Sequence, residues 1–324
     1  MGRITRKGHK KEAKAFKKRN QVLWGYFFTF PFIAAFFLFF FVPIISTFIY
    51  GFYEYYTVGL LEIEPSFIGL KNYSSLIDGN FLKCALNTIF LWIGYFIPQM
   101  VVSVFLAAWL TDAKMLLKGR ELVKVVIYMP GMIMASAWAV LTFTLFSNSG
   151  AVNQFLMGLK ITESPIEFFS SVTGTRFLIC MLMFLMNLGN TTLMLVTSIA
   201  ALPKSRIESA LLDGCGYIGS YFHVVLPSIR PVLVYILITS IITGLQMFDI
   251  PQVITKGNGN PNRTSMTLIM YLNRYITSNN YGMAAALSVC IFLISSILCF
   301  LVYNLTKGEN PYSVSKRKGS VYDE

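Results

Sequence analysis

Charge is scarce in this sequence. Only 13% of the 324 residues are Asp, Glu, Lys or Arg, roughly half the share in a soluble domain, which excludes an ordinary water-facing surface over much of the chain. Histidine occurs twice, as His9 and His223, so a histidine-built metal centre is excluded. The five cysteines, Cys84, Cys180, Cys215, Cys290 and Cys299, form neither a C-x-x-C pair nor a disulfide framework. A G-x-x-x-x-G-K-[S/T] phosphate loop is missing, which excludes that mode of nucleotide binding. Acidic residues are fewer than basic ones, 15 against 27, for a net charge of +12. Beside so apolar a body, that excess points to anionic lipid and not to nucleic acid.

What is present in quantity is hydrocarbon. Hydrophobic residues make up 55% of the chain, with 28 phenylalanines, and they come in long blocks. A helical span needs about 20 predominantly apolar residues to cross the bilayer core. Six blocks meet that condition: 23–50, 85–110, 125–146, 177–200, 231–248 and 281–305. None contains a charged side chain. The sequence therefore predicts an all-α polytopic membrane protein with six transmembrane helices, a basic tail 1–22, a membrane domain 23–305 and a polar tail 306–324. Pro31 and Pro43 are expected to kink or end the first span, Pro98 to break the second, and Pro130-Gly131 to break the third.

Charge placement sets the orientation. Nine Lys or Arg stand against Glu12 alone in residues 1–22, whereas 51–84 has two basic residues against four acids. Residues 111–124 and 201–230 are again more basic than acidic. This places the amino terminus, 111–124, 201–230 and the carboxyl tail in the cytoplasm. The loop 249–280 disagrees, since it lies outside by this count yet carries Lys256, Arg263 and Arg274 against Asp249. Its stretch KGNGNPNR at 256–263 is dense in turn formers.

The cytoplasmic segment 201–230 is longer than a helix connection requires. Pro203 with Ser205 reads as a helix start, and Ile207, Ala210, Leu211, Gly214 and Ile218 recur at spacings that share one helical face. Glu208 falls near the start of that helix and Asp213 further along it. A second short helix is expected over 217–225, ending at Leu226-Pro227. Gly214 inside a helix costs about 1 kcal/mol relative to Ala, which points to a close backbone approach there. Two readings stand: a peg that docks on a cytosolic partner, or an amphipathic helix resting on lipid.

The same residues resemble the EAA loop of the permease subunits of binding-protein-dependent ABC importers. Glu208, Ser209, Ala210 and Gly214 match its E-A-A-x-x-x-G part, and Val224, Leu226 and Pro227 its I-x-L-P part. Asp213 before Gly214 fits the carbohydrate-uptake branch. Further matches follow in order: Phe67 to Tyr73 to F-x-G-L-x-N-Y, Asn87-Thr88, Leu145-Phe146 with Gly150 and Asn153, and Met247-Phe248-Asp249 ahead of Thr255-Lys256-Gly257. Tyr281-Gly282 with 284–288 resembles the family's entry to its last span.

The resemblance implies a permease of the maltose/glycerol-phosphate type in a bacterial cell membrane, with its coupling helix between the fourth and fifth spans. It implies a second homologous permease, two cytosolic ATPase subunits that carry ATP and Mg, and an extracytoplasmic solute-binding protein. This chain itself would be no enzyme and hold no cofactor. Glu208, Ser209, Ala210, Asp213, Gly214, Leu226 and Pro227 would form the coupling element. A sugar path needs polar groups beside flat apolar ones at mid-depth. Candidates are Asn187, Gly189 and Asn190 in the fourth span, and Ser240, Gly244, Gln246 and Met247 in the fifth. Charge-free spans imply a neutral mono- or oligosaccharide. An ion-coupled secondary transporter or a non-transporting scaffold are the other readings, and Asp249 is the only carboxylate placed for the first.

Overall fold

A computed structural model describes residues 22–59, 61–77, 79–111 and 119–306. Most of the basic tail, half of the 111–124 connection and the tail beyond Thr306 lie outside the described residues. Five helices are long and apolar enough to cross a membrane, or six if one bent pair counts as a single span.

Helix α1, Val22–Tyr50, buries none of its most apolar stretch inside the chain. Its exposed phenylalanines, Phe27 to Phe41, are incompatible with water and fit hydrocarbon or another protein. Pro31 does not interrupt it. Ahead of Pro43 the helix widens into a π turn, Phe37–Phe41, which makes room for a residue lacking the ladder donor. The expected loop after α1 contains four two-residue strands, β1 Tyr53–Glu54, β2 Thr57–Val58, β3 Leu61–Glu62 and β4 Ser66–Phe67, paired β1 with β4 and β2 with β3. Helix α2, Lys71–Ile77, follows.

The chain divides into two compact units. One runs to Tyr73 and includes Asn279–Val289. Within it the buried Asn72 amide donates to the carbonyls of Gly51 and Tyr53, at 3.1 and 2.9 Å. The matched asparagine of the F-x-G-L-x-N-Y segment is thus a clamp on the end of α1.

The other unit holds the functional candidates. Helix α3, Phe81–Thr111, runs unbroken through Pro98, contrary to the expected break; one missing ladder donor is tolerated within 31 residues. The third span is not one helix. It divides into α4, Arg120–Tyr128, a 3₁₀ turn, Met129–Met132, and α5, Ala135–Phe146. The bend of 94° falls at residues 133–134, between Met132 and Ala135; Pro130-Gly131, the expected break, instead lies within the 3₁₀ turn that ends the first part. Helix α6, Ala151–Gly158, is short. Its buried Asn153 bonds Ser147 and both backbone groups of Ile166, closing the loop around it.

Helix α7, Val172–Ala200, begins five residues earlier than the apolar block and so includes Arg176. The segment 201–230 contains α8, Lys204–Leu212, α9, Tyr217–Ser220, a π turn, Tyr221–Val225, and α10, Leu226–Ser228. Helices α11, Arg230–Leu245, α12, Asp249–Ile254, α13, Leu268–Thr277, and α14, Tyr281–Thr306, complete the chain. The core of this unit is one apolar cluster joining α3, α7, α11 and α12, with Val225 and Ile229 from the segment 201–230 inside it.

Candidate coupling loop and substrate path

Helix α8 starts on Pro203, whose extended backbone serves as the N-cap without a side-chain bond. It stops earlier than the sequence pattern implied. Cys215 N–H donates to the Ala210 carbonyl at 3.1 Å and Gly214 N–H to the Leu211 carbonyl at 3.2 Å. Those two bonds form the Schellman arrangement, and it needs a left-handed residue after the cap. Gly214 supplies it at φ +82°. Its glycine is therefore required by the end of the helix and not by a close approach inside one: a Cβ built there meets no other residue within 4 Å. The shared face expected through Ile218 ends at the same turn.

The turn divides the loop by exposure. Ile207, Leu202, Tyr221 and Leu226 pack on the buried cluster. Leu212 and Ile218 are 88% and 77% exposed, flanked by exposed Tyr217 and Phe222. Glu208, Ser209, Asp213 and Pro227 are also exposed, and Ala210 is half-buried. The Ser209 hydroxyl donates within α8, to Ser205 O at 2.7 Å. Pro227 does not end the second helix; it stands in the first turn of α10.

Of the path candidates, Ser240 and Gly244 meet on a residue the sequence analysis missed. Trp92 of α3 donates its indole N–H to Ser240 Oγ at 2.9 Å. Its ring covers Gly244, where a Cβ would overlap Cδ1. Phe96 stacks beside it at 5.4 Å and 14°. The half-buried Trp92 ring thus sets a flat aromatic surface beside a hydroxyl where α3 meets α11. The signal was present only as a Trp one helical turn from Phe96.

Asn187 makes its contacts elsewhere on α3. The buried Gln99 amide donates to the Asn187 carbonyl at 3.2 Å and to Thr191 Oγ1 at 2.6 Å, while the Asn187 side chain donates back to Met183 O. Asn190 and Gln246 are exposed, and Met247 is only 3% exposed. Among the described residues no hydrogen bond joins Asn187 or Asn190 to Ser240 or Gln246. Gly189 is buried against backbone: a Cβ there would stand 2.5 Å from Ile127 O and Tyr128 Cα. Gly131 reciprocates, 2.7 Å from Met186 O. Two glycines thus let α7 and the bent third span touch backbone to backbone.

Arg176 also escaped the sequence analysis, because it preceded the apolar block. Its guanidinium donates to Thr264 O at 2.8 and 3.1 Å and to Asn87 Oδ1 at 2.9 Å, and lies 4.5 Å from the Phe90 ring centre. Asn87 in turn donates to Arg263 O, and Thr88 Oγ1 accepts from Leu268 N–H. The matched Asn-Thr pair and Arg176 thereby brace the loop 255–267, on which Lys256 and Arg263 are exposed. Among the described residues no three His, Cys, Asp or Glu side chains gather to hold a metal.

Residues 85–309 match the model of a family described as the binding-protein-dependent transport system inner membrane component. The chain belongs to this family. It is similar to the arabinooligosaccharides transport system permease protein AraP of Bacillus subtilis, 29% identical over 88% of this chain and 90% of that one. The lactose transport system permease protein LacF of Rhizobium radiobacter is 27% identical, over 88% and 95% of the two chains. In fold, this permease resembles a chain of a bacterial ABC transporter that imports the acidic polysaccharide alginate. That likeness has a TM-score of 0.77 at 19% identity, covering 90% of this chain and 98% of that one. The permease is thus a multi-pass membrane component of a bacterial importer type, and the secondary-transporter and scaffold readings recede.

Proposed function

We propose that this permease forms half of the translocation pathway of an ATP-driven carbohydrate importer and takes its drive from cytosolic ATPase subunits through residues 204–219. The observation that carries this reading is the coupling loop. A helix ended by a glycine turn offers Glu208, Leu212, Asp213 and Ile218 outward, while Tyr221, Leu226 and Ile229 tie the same segment to the buried core. Ser209, Ala210, Gly214 and Pro227 complete the element. An outward apolar surface joined to a rigid core suits a docked protein better than lipid alone, because only a rigid joint transmits displacement.

The assembly comprises a second homologous permease, two ATPase subunits that hold ATP and Mg²⁺, and a solute-binding protein on the outer side. A related alginate transporter has been seen in complex with its loaded periplasmic protein. The amino terminus lies in the cytoplasm, and the braced loop 255–267 faces outward. Carbohydrate is favoured by the transport names of the relatives and by the Trp92–Ser240–Gly244 platform. A neutral sugar is favoured because Arg176 and Lys83, the cations within the outer ends of α7 and α3, already bond to protein. Purified alone, the permease is expected to hydrolyse no ATP, and its reconstituted complex to do so. Hydrolysis by the permease alone, removed by a substitution in this chain, overturns the reading.

Asn187, Asn190 and Gln246, with Gly189, Ser240, Gly244 and Met247, are assigned to the path or its walls. Leaving a bound sugar hydroxyl without its partner costs about 1–3 kcal/mol, or roughly 5- to 150-fold. Alanine at 187, 190 or 246 is therefore expected to lower transport efficiency within that range. Normal assembly with unchanged efficiency in all three places the sugar elsewhere, with the Trp92 platform the next position to alter.

A further inference from the structure

One hydrogen bond joins the coupling loop to the membrane core. The Tyr221 hydroxyl donates to the Val104 carbonyl of α3 at 2.8 Å, across 117 residues of sequence. Val104 lies five residues, about 7 Å along the helix, from Gln99, which holds α7. Seven residues beyond Gln99, and twelve from Val104, is Trp92. Helix α3 therefore carries the loop's attachment toward its Thr111 end and the aromatic platform near its middle.

The segment at that attachment is built to change. Tyr221 opens a π turn, Tyr221–Val225, set between two short α-helical pieces. π turns carry one extra residue and occur often at functional positions. Converting it to α geometry would rotate the following residues by about 100°. Next to it Ser220 is 2% exposed, and its hydroxyl has no hydrogen-bond partner among the described residues. Burying an unpaired hydroxyl is unfavourable, so an alternative arrangement that pairs it gains what this one forgoes. Burial also pushes the Tyr221 phenol up to about 12, so it stays a donor across physiological pH.

We propose that Tyr221 is a positioning residue for transport: its hydroxyl is the strap through which movement of the coupling loop displaces α3 and the platform on it. This rests on the ATP-driven reading above. A purely structural bond predicts a different result, because Val104 O, with two lone pairs, keeps its helical partner when the phenol is removed. Stability then changes little.

The test uses the complete complex in sealed vesicles and measures solute transported per ATP hydrolysed, with copurification of the ATPase as the assembly check. Tyr221→Phe is expected to assemble and hydrolyse ATP normally but to transport about 2- to 12-fold less solute per ATP, the equilibrium worth of one neutral hydrogen bond. Ser228→Ala, which removes only a local bond to Val224 O, is the control and is expected to match wild type. An unchanged ratio in Tyr221→Phe overturns the proposal. So does a fall in uptake that follows a fall in assembled complex with the ratio intact. A wild-type complex that transports without consuming ATP would instead remove the functional reading on which the strap depends.

Discussion

Gly214→Leu is expected to leave the permease inserted and abundant while uptake falls to a small fraction of wild type. Position 214 lies outside every apolar span, so insertion is unaffected. Its φ of +82° costs a side-chain-bearing residue about 1–2 kcal/mol. Leucine also adds bulk at an exposed turn beside Leu212 and Asp213, and overpacking a tight contact costs about 1–3 kcal/mol more. Within this chain the added Cβ meets nothing, so steric loss can only arise against a docked partner. Gly214→Asn separates the two terms, because asparagine tolerates left-handed backbone. If backbone geometry dominates, Asn restores ATPase copurification and substrate-stimulated hydrolysis; if contact dominates, both remain depressed. Wild-type values in the Leu variant would remove this turn from docking, as expected of a helix that only rests on lipid.

Gly189→Leu is expected to fail earlier, at folding. Its side chain would enter the space of the Ile127–Tyr128 backbone. A backbone cannot step aside as a flexible side chain does. The cost therefore falls at or above the top of the usual overpacking range of about 1–3 kcal/mol. The folded fraction in detergent, measured by size-exclusion profile and thermal unfolding, should drop sharply, with Gly189→Ala intermediate. If Gly189 instead lines the open path, the Leu variant will fold and assemble normally and only transport will stop.

These two glycines show what the sequence could disclose. Long apolar blocks are a sufficient signal for spans, because hydrocarbon thickness imposes their length. The interruption of the third span near Pro130-Gly131 was readable for a local reason, a missing donor next to a flexible residue, although the bend itself falls just after Met132. Gly214 was not, because a three-and-four spacing persists across a helix stop and carries no record of φ. Pro98 was misread, since whether a proline breaks a helix depends on the neighbours that surround it. Arg176 was missed because its helix begins ahead of the apolar block, and Trp92 for a tertiary reason. Among 28 phenylalanines and four tryptophans, only packing tells which ring faces a serine on another helix. Several matched family residues proved to be braces: Asn72 on α1, Asn87 on the loop 255–267, and Asn153 around α6.

The most direct test is uptake of labelled oligosaccharide into vesicles that contain this permease with its partner permease, the ATPase subunits and the loaded solute-binding protein. ATP supplied on the coupling-loop side, with no ion gradient, should drive accumulation against a concentration difference, and omission of ATP should abolish it. Accumulation that persists without ATP and collapses when an ion gradient is dissipated would contradict the assignment of this chain as an ATP-driven permease.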